Sequence, residues 1–561
     1  MLLRLRRWVR DPHGRPGPLP HSGTGGEGSV LAESRSLLYP LPAGTEFGLQ
    51  AGKVQNLRAA ARYLDGRVLE AGALFSFWAH VPRPTSSRGF ALGRELRAGC
   101  VIPSVGGGLC QLSNALYDAA LQAGCVIVER HAHSRSMPGR TAAAGRDATI
   151  FWNYVDLRFR APVPCRLEVT LSRSELHVRL RALQTTPRAP LSVLSDSGQP
   201  DAEPAAESCE TCGVHSCFRH PEAMALPRQS RTAWLLDAWW PEHDAYLQEH
   251  RQPGDALRIP FASRRWKIGP YYWGTDGPAD VHTVPWFVFR RSLESRRLRA
   301  EGAARQRALL RMDRELAQRY AQQLPSDALH VVVSQNLLPF LWQEGHLAGR
   351  TFDVLMTRLP MAELQRQLDR AAARWPGTST LEDFRADAAL VAAESEALAE
   401  AVRWITPHTD IARLAGSRAI CLPWHKPPST PRSIGSRLIF PAGALSRKGA
   451  RELREAAAGL GIPLILASAV RENAAFWQEI RTEPAGPDWL ADAGAVVLPA
   501  WVEHQPRRIL AALAAGIPVI VTSACGLPPQ EGLTLVPEGD SRALRAAIQD
   551  VLAKAQCYDQ P

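Results

Sequence analysis

From about residue 228 to the C-terminus, short apolar runs alternate with Ala-, Arg- and Glu-rich stretches. The runs are TAWLLDAWW, LHVVVSQN, FDVLMTR, SRLIFPAG, IPLILAS, AGAVVLPA and IPVIVTS. Runs apolar along their whole length, rather than at every second position, belong to strands covered on both faces, and such strands sit in parallel sheets flanked by helices. Their number predicts two Rossmann-like domains, 225–426 and 427–561, with a Pro-rich crossing at Pro427–Pro431 between them. One long, Arg-dense helix is expected from about Arg290 to Gln323.

The upstream half reads differently. Residues 1–45 form a basic, Gly/Pro-rich leader, and 46–183 a compact mixed α+β block. The block ends in RLEVTLSRSELHVRLRA, where Leu167, Val169 and Leu171 share one face and Leu176, Val178 and Leu180 repeat the pattern across a short turn, which predicts a hairpin. A Pro/Ser-rich linker covers 184–208, and a Cys/His knuckle 209–224. At about 150 residues per domain, 561 residues fit this multidomain α+β and α/β plan.

The chain is 45% hydrophobic and 22% charged, which excludes wholesale disorder. No stretch approaches the roughly 18 apolar residues of a membrane helix. The opening MLLRLRRWVR lacks the continuous apolar core, about 7–15 residues, of a signal peptide. The expected location is the cytoplasm, with a peripheral seat at the inner membrane face as its variant. The net charge is +11, yet only five of the 66 basic residues are Lys. That skew, with abundant Ala and Pro, reads as codon bias of a GC-rich genome rather than a nucleic-acid surface. The charge favours acidic partners such as nucleotide phosphates or anionic lipid headgroups.

The most informative stretch is SVGGGLCQLSNALYDAALQAGCVIVERHAHS. Gly106, Gly107 and Gly108 give a permissive turn, and Leu109, Leu112, Leu116 and Ala119/Ala120 follow at helical spacing. Cys110 therefore falls in the first turn of a helix, where free N–H groups and the helix dipole favour a thiolate, below the ordinary pKa of about 8.5. VIVERHAHS reads as a strand, with His131 and His133 on the face of Ile127 and Glu129. A nucleophile and a general base are the minimum for thiol-based acyl transfer, and Asp147 in GRDAT is placed to orient an imidazole. The alternative is a buried structural Cys.

VQNLRAAARYLDGRVLEAGALFSF, GGGLCQLSNALYDAALQAG, VERHAHS and GRDATIFWNYVDLRF together resemble the VanW family over residues 47–160. The resemblance implies a link to peptidoglycan cross-linking by a Cys nucleophile: Cys110 would attack a stem-peptide carbonyl and His131 or His133 would shuttle the proton. Backbone N–H groups at Gly108 to Cys110 would stabilise the oxyanion. Enzymes of that kind are exported, whereas this chain shows no export signal.

SCETCGVHSCFRH places Cys209, Cys212 and Cys217 at C-x2-C-x4-C with His215 and His220 interleaved. A closed Cys3His set with His220 or His215 suits a structural zinc. An iron–sulfur cluster would need a fourth Cys, nominally Cys165; a disulfide is the remaining reading.

AWVEHQPRRILAALAAGIPVIVTSACGL, FPAGALSRKGARELREAAAGLGIPLIL and GLTLVPEGDSRALRAAIQDVL resemble the C-terminal domain of retaining GT-B glycosyltransferases that use nucleotide sugars, and WLLDAWWPEHDAYL, HVVVSQNLLPFL and ALAEAVRWITPHTDIARL resemble the N-terminal one. The resemblance implies nucleotide-sugar contacts from Glu503 and Lys448, while a second Glu falls on Ala511 and an Arg on Ala444. Trp234, Trp239, Trp240, Trp266, Trp273 and Trp286 crowd the front of this half; core packing accounts for most, and an exposed subset would suit sugar or lipid stacking. The expected function is sugar transfer from a nucleotide donor to an envelope glycan, peptide or lipid-linked acceptor. The alternatives are Cys110-dependent transpeptidase- or amidase-like acyl transfer beside a degenerate transferase half, and a non-catalytic adaptor.

Overall fold

The computed structural model describes residues 19–21, 28–40, 46–97, 100–133, 145–152, 154–183, 229–262, 271–275, 280–298, 302–382, 385–473, 475–478 and 480–558. The chain divides into two compact units. The first takes in residues up to Ala233 together with Leu324–Val331 and Glu344–Thr351; the second holds Trp234–Gln323, Val332–Gln343 and the chain from Phe352 onward.

In the first unit the strands are β1 (Val30–Leu37), β2 (Arg67–Leu69), β3 (Leu74–Ser76), β4 (Leu92–Arg97), β5 (Cys100–Val105), β6 (Val126–Glu129), β7 (Arg158–Arg160), β8 (Cys165–Leu171) and β9 (Glu175–Ala182). They form a four-stranded sheet, β1-β9-β8-β2, a three-stranded sheet, β3-β7-β6, and the hairpin β4-β5. The expected hairpin is β8–β9: Leu167 pairs with Leu180, Val169 with Val178 and Leu171 with Leu176. All six are buried, as the period-two pattern requires.

The Phe47–Leu64 helix is buried on nearly every side, sparing Gln55, Arg62 and Tyr63. This explains why its sequence carries no clean polar stripe. Gly52 lets the helix lie against the backbone of β4, since a Cβ there would sit 1.8 Å from the Leu92 carbonyl oxygen. Asn56 on the same helix donates to the carbonyls of Ala91 (3.0 Å) and Gly107 (2.9 Å), fixing the glycine loop before the Cys110–Gln122 helix.

The remaining strands, β10 to β22, belong to the second unit apart from the opening residues of β10, β13 and β14. A seven-stranded sheet uses β10 (Arg231–Leu235), β11 (Ala256–Ile259), β12 (Asp280–Thr283), β13 (Ala328–Ser334), β14 (Thr351–Leu355), β15 (Arg403–Thr406) and β16 (Ala419–Cys421) in the order β12-β11-β10-β13-β14-β15-β16. A six-stranded sheet uses β17 (Arg437–Phe440), β18 (Leu464–Leu466), β19 (Thr482–Pro484), β20 (Ala493–Leu498), β21 (Val519–Val521) and β22 (Leu533–Leu535) in the order β19-β18-β17-β20-β21-β22. Every pair in the six-stranded sheet is parallel. Both sheets follow the doubly wound order in which the third, second and first strands precede the fourth. Each of the seven apolar runs read from the sequence coincides with one of these strands to within a residue at its start or wholly contains it.

The expected single helix from Arg290 to Gln323 is instead two, Pro285–Arg297 and Gly302–Gln322. The continuous Arg-rich composition hid the break, which falls just before Gly302, a poor helix-interior residue. Trp234, Trp240 and Trp273 are core residues, whereas Trp239 and Trp286 are exposed; Trp266 lies outside the described residues. So does the whole Cys/His cluster with Cys209, Cys212, Cys217, His215 and His220, and so does the linker 184–208. Among the described residues no group of three or more potential ligands is arranged for a metal. Cys165, the nominal cluster ligand, is buried on β8, and desolvation pushes its thiol up to about 12, so it offers no thiolate. No helix among the described residues is long and apolar enough to cross a membrane.

Candidate functional site

In a doubly wound sheet the loops leaving the carboxyl ends of the first and fourth strands part company, and a crevice opens between them. Here those strands are β10 and β13 in one sheet, β17 and β20 in the other. Asp237 follows β10, Ser334 and Asn336 stand at the end of β13, Lys448 follows β17 and Glu503 follows β20. All five, with Arg358 from beyond β14, line one cavity of about 340 Å³. That lies within the range of about 300–1,000 Å³ typical of small-molecule sites.

Lys448 Nζ lies 2.9 Å from Glu503 Oε2 and donates to the Val502 carbonyl at 3.0 Å. The other Glu503 oxygen accepts the Gln505 N–H at 2.8 Å. Burial works to raise the Glu503 carboxyl, but Lys448 outweighs it and holds the group below its ordinary range. His504 is desolvated beside His408, Lys448 and Arg358, which keeps its pKa well below the usual value. It is therefore a neutral acceptor, and its Nε2 takes the Leu359 N–H at 3.3 Å.

Asp237 is clamped by the buried Arg291 at 2.5 and 3.3 Å, and Arg291 also holds Asp313 at 2.7 Å. The wall thus carries a fixed carboxylate on one lobe and a Lys–Glu pair on the other. Ala444 and Ala511 do not line the cavity. Ala444 is only 2% exposed, and its N–H donates to the Val470 carbonyl at 2.7 Å. Asp237, Asn336, Arg358 and His504 were not picked out from sequence; for Asp237 the signal was a carboxylate ending the apolar run WLLD.

The first unit holds the Cys110 constellation. Cys110 is the first residue of its helix, as the glycine spacing predicts, and Leu112, Leu116, Ala119 and Ala120 are buried as expected. The segment 145–150 is strapped across that helix. Ser113 Oγ donates to the Ala148 carbonyl at 2.5 Å, Asn114 accepts the Ala148 N–H at 2.7 Å, and Arg146 pairs with Asp118. Cys110 Sγ reaches the Ile150 carbonyl at 4.0 Å.

Asp147 lies in this strap and holds His133: its Oδ2 is 2.9 Å from Nδ1 and accepts the His133 backbone N–H at 2.6 Å. Its Oδ1 accepts from Arg130 at 3.0 Å. Burial tends to raise the Asp147 carboxyl, but the His133 bonds and Arg130 hold it below the usual range. His131 is half exposed and pairs with Glu129 at 3.2 Å. The strand ends at Glu129, so both histidines lie beyond β6 rather than on it.

The Cys110 thiol departs from the expected depressed pKa. Burial pushes it above its ordinary value, and the carboxylates of Glu95 and Asp147 push the same way. Desolvation and two nearby negative charges oppose the pull of the helix terminus.

Residues 52–181 match the family model described as VanW like protein, and residues 445–554 match the one described as Glycosyl transferases group 1. Vancomycin B-type resistance protein VanW of Enterococcus faecalis is 31% identical over 143 residues, 25% of this chain and 52% of that relative. Uncharacterized protein YoaR of Bacillus subtilis is 36% identical over 105 residues, 19% of this chain and 34% of that relative. The chain thus spans about half and a third of the lengths of these curated relatives. Among solved structures, sucrose-phosphate synthase from Thermosynechococcus elongatus aligns at 16% identity and a TM-score of 0.37, over 59% of this chain and 91% of that one. A VanW-like domain and a group 1 glycosyltransferase domain are both present in the chain.

Proposed function

We propose that the protein transfers a glycosyl group from a nucleotide sugar to an envelope glycan, peptide or lipid-linked acceptor, with the VanW-like domain binding or modifying that acceptor. The observation that carries this reading is the cavity in which Lys448 and Glu503 meet Asp237 at the switch points of two parallel sheets. A Lys ammonium beside a helix-rich crevice suits a pyrophosphate, and a carboxylate suits sugar or ribose hydroxyls. Transfer moves the sugar's anomeric carbon from the diphosphate oxygen to an acceptor oxygen, whose proton is lost as the diphosphate leaves. The test is calorimetric titration with UDP and GDP. Binding that falls at least tenfold in Lys448→Ala supports the reading; no heat with either nucleotide sinks it.

A second feature supports an acceptor at an anionic membrane surface. On the Pro285–Arg297 helix, Trp286 (84% exposed), Phe289 (60%) and Leu293 (41%) form a ridge with Arg290 and Arg297 beside it. Large apolar groups flanked by arginines suit an interface between acyl chains and acidic headgroups.

The competing reading is acyl transfer by Cys110. It is favoured by the Asp147-to-His133 hydrogen bond, which fixes an imidazole as a third group fixes the base in thiol and serine acyltransferases.

A further inference from the structure

The chain uses Arg almost everywhere, with five Lys in all, so a Lys inside a core stands out. Lys53 is such a residue: it faces inward from the Phe47–Leu64 helix and is 6% exposed. Its ammonium has no hydrogen-bond or ion-pair partner among the described residues, a costly state for a buried charge. The nearest charge is the like-charged Arg94 on β4, itself paired with Glu46 at 3.0 Å. One turn earlier on the same helix, the buried Gln50 Oε1 also lacks a partner.

The Lys53 stem lies against Gly108, in the loop leading into the Cys110–Gln122 helix. A Cβ at Gly108 would be 2.1 Å from Lys53 Cγ and 3.0 Å from Cδ, and its φ is +93°, so glycine is required on two counts. Beyond it, the N–H groups of Gly108 and Leu109 donate no hydrogen bond among the described residues, and that of Cys110 turns to its own thiol. The helix has no capping side chain and no acidic residue in its first turn. Donors and a cation are thus gathered near one helix start, while the carboxylates of Glu95 and Asp147 act on the Cys110 thiol rather than on Lys53.

We propose that Lys53 and the free N–H groups opening the Cys110–Gln122 helix bind an anionic group, a carboxylate or a phosphate, of the ligand handled by the first unit. The proposal does not rest on the sugar-transfer reading.

The test uses the full chain and compares alkylation of Cys110 by iodoacetate, which carries a carboxylate, with alkylation by neutral iodoacetamide, read by peptide mass spectrometry. The charged groups around the reporter thiol and Lys53 are Arg94, Glu46, Glu95 and Asp147. At pH 6 the iodoacetate-to-iodoacetamide rate ratio is expected to be roughly fivefold higher in the wild type than in Lys53→Met, as one partly screened charge implies. In the wild type alone, which guards against a misfolded variant, the ratio should fall as pH rises through 7 to 8. Added acetate or inorganic phosphate should slow iodoacetate in the wild type only, and the stronger competitor identifies a carboxylate or a phosphate site. Equal ratios in both proteins at every pH, or iodoacetate alkylation of the wild type unslowed by either anion, would overturn the assignment.

Discussion

Arg507 and Glu242 form a doubly hydrogen-bonded pair at 2.6 and 2.7 Å, with the guanidinium over the rings of both Trp240 and Trp424. Glu242 belongs to the helix Pro241–His250 of one Rossmann-like domain and Arg507 to the helix Arg507–Ala514 of the other. The Glu242 side chain is wholly buried and also accepts the His425 N–H at 2.9 Å. Removing only the cation leaves a buried carboxylate stranded. Arg507→Met should lower the stability of the second unit by about 3–5 kcal/mol, visible as an earlier urea transition.

The two alanines that stand where the transferase resemblance expects a Glu and an Arg should respond differently to restoration. Ala511 is half-buried on a helix face, so Ala511→Glu should fold normally and tighten UDP-sugar binding, by roughly tenfold if it adds one charge-assisted hydrogen bond of about 1.5 kcal/mol. Ala444 packs in the core of the six-stranded-sheet domain, so Ala444→Arg should unfold it instead. Thermal melts with and without nucleotide separate the outcomes.

Cys110 should behave as a thiol, not a thiolate, at neutral pH. Because burial and two carboxylates raise its pKa, its iodoacetamide rate should keep climbing beyond pH 9. A plateau below pH 8 would contradict this. His133→Ala should slow alkylation near pH 7 several-fold if the imidazole accepts the proton, whereas His131→Ala should change little.

Lys53 carries a pH-dependent cost. Burial lowers its pKa from 10.5 to about 7. The unfolded chain therefore binds a proton up to about pH 10.5 that the folded chain binds only below about 7, and stability from this source rises with pH across that window. Lys53→Met should stabilise the protein by up to roughly 4–5 kcal/mol below pH 7, a gain that shrinks to nothing near pH 10.5. Denaturant melts at pH 6, 8 and 10 measure it.

Trp286→Ser with Phe289→Ser should abolish co-sedimentation with phosphatidylglycerol vesicles while leaving nucleotide binding intact. Wild-type binding should weaken as salt is raised and be slight on phosphatidylcholine.

The sequence made the strands legible where apolar runs were long and the hairpin legible where leucines and valines alternated, because burial on two faces or one leaves those periods. β11, β12, β15, β16, β19 and β22 were missed: all are three or four residues long, and DVHT and TEP also carry too few apolar positions to stand out. Cys110 was legible through the glycines before a helix start and Asp147 through the GRDAT stretch, whereas Lys448 and Glu503 came only through the resemblance to GT-B transferases. Lys53 was not legible, since a helix buried all round presents no stripe against which a single polar residue can be judged. The thiol's electrostatics were misjudged because Glu95 is brought near Cys110 only by the fold.

The first unit draws on two short segments far along the chain, Leu324–Val331 and Glu344–Thr351. Arg58 Nε donates to the Ala348 carbonyl at 2.5 Å, and Arg62 lies 3.3 Å from the His346 ring. A gene fragment ending at codon 230 would therefore encode a VanW-like domain with a buried guanidinium facing solvent. The first unit is thus not finished when its last strand has been made: it is completed only by residues that leave the ribosome well after the linker.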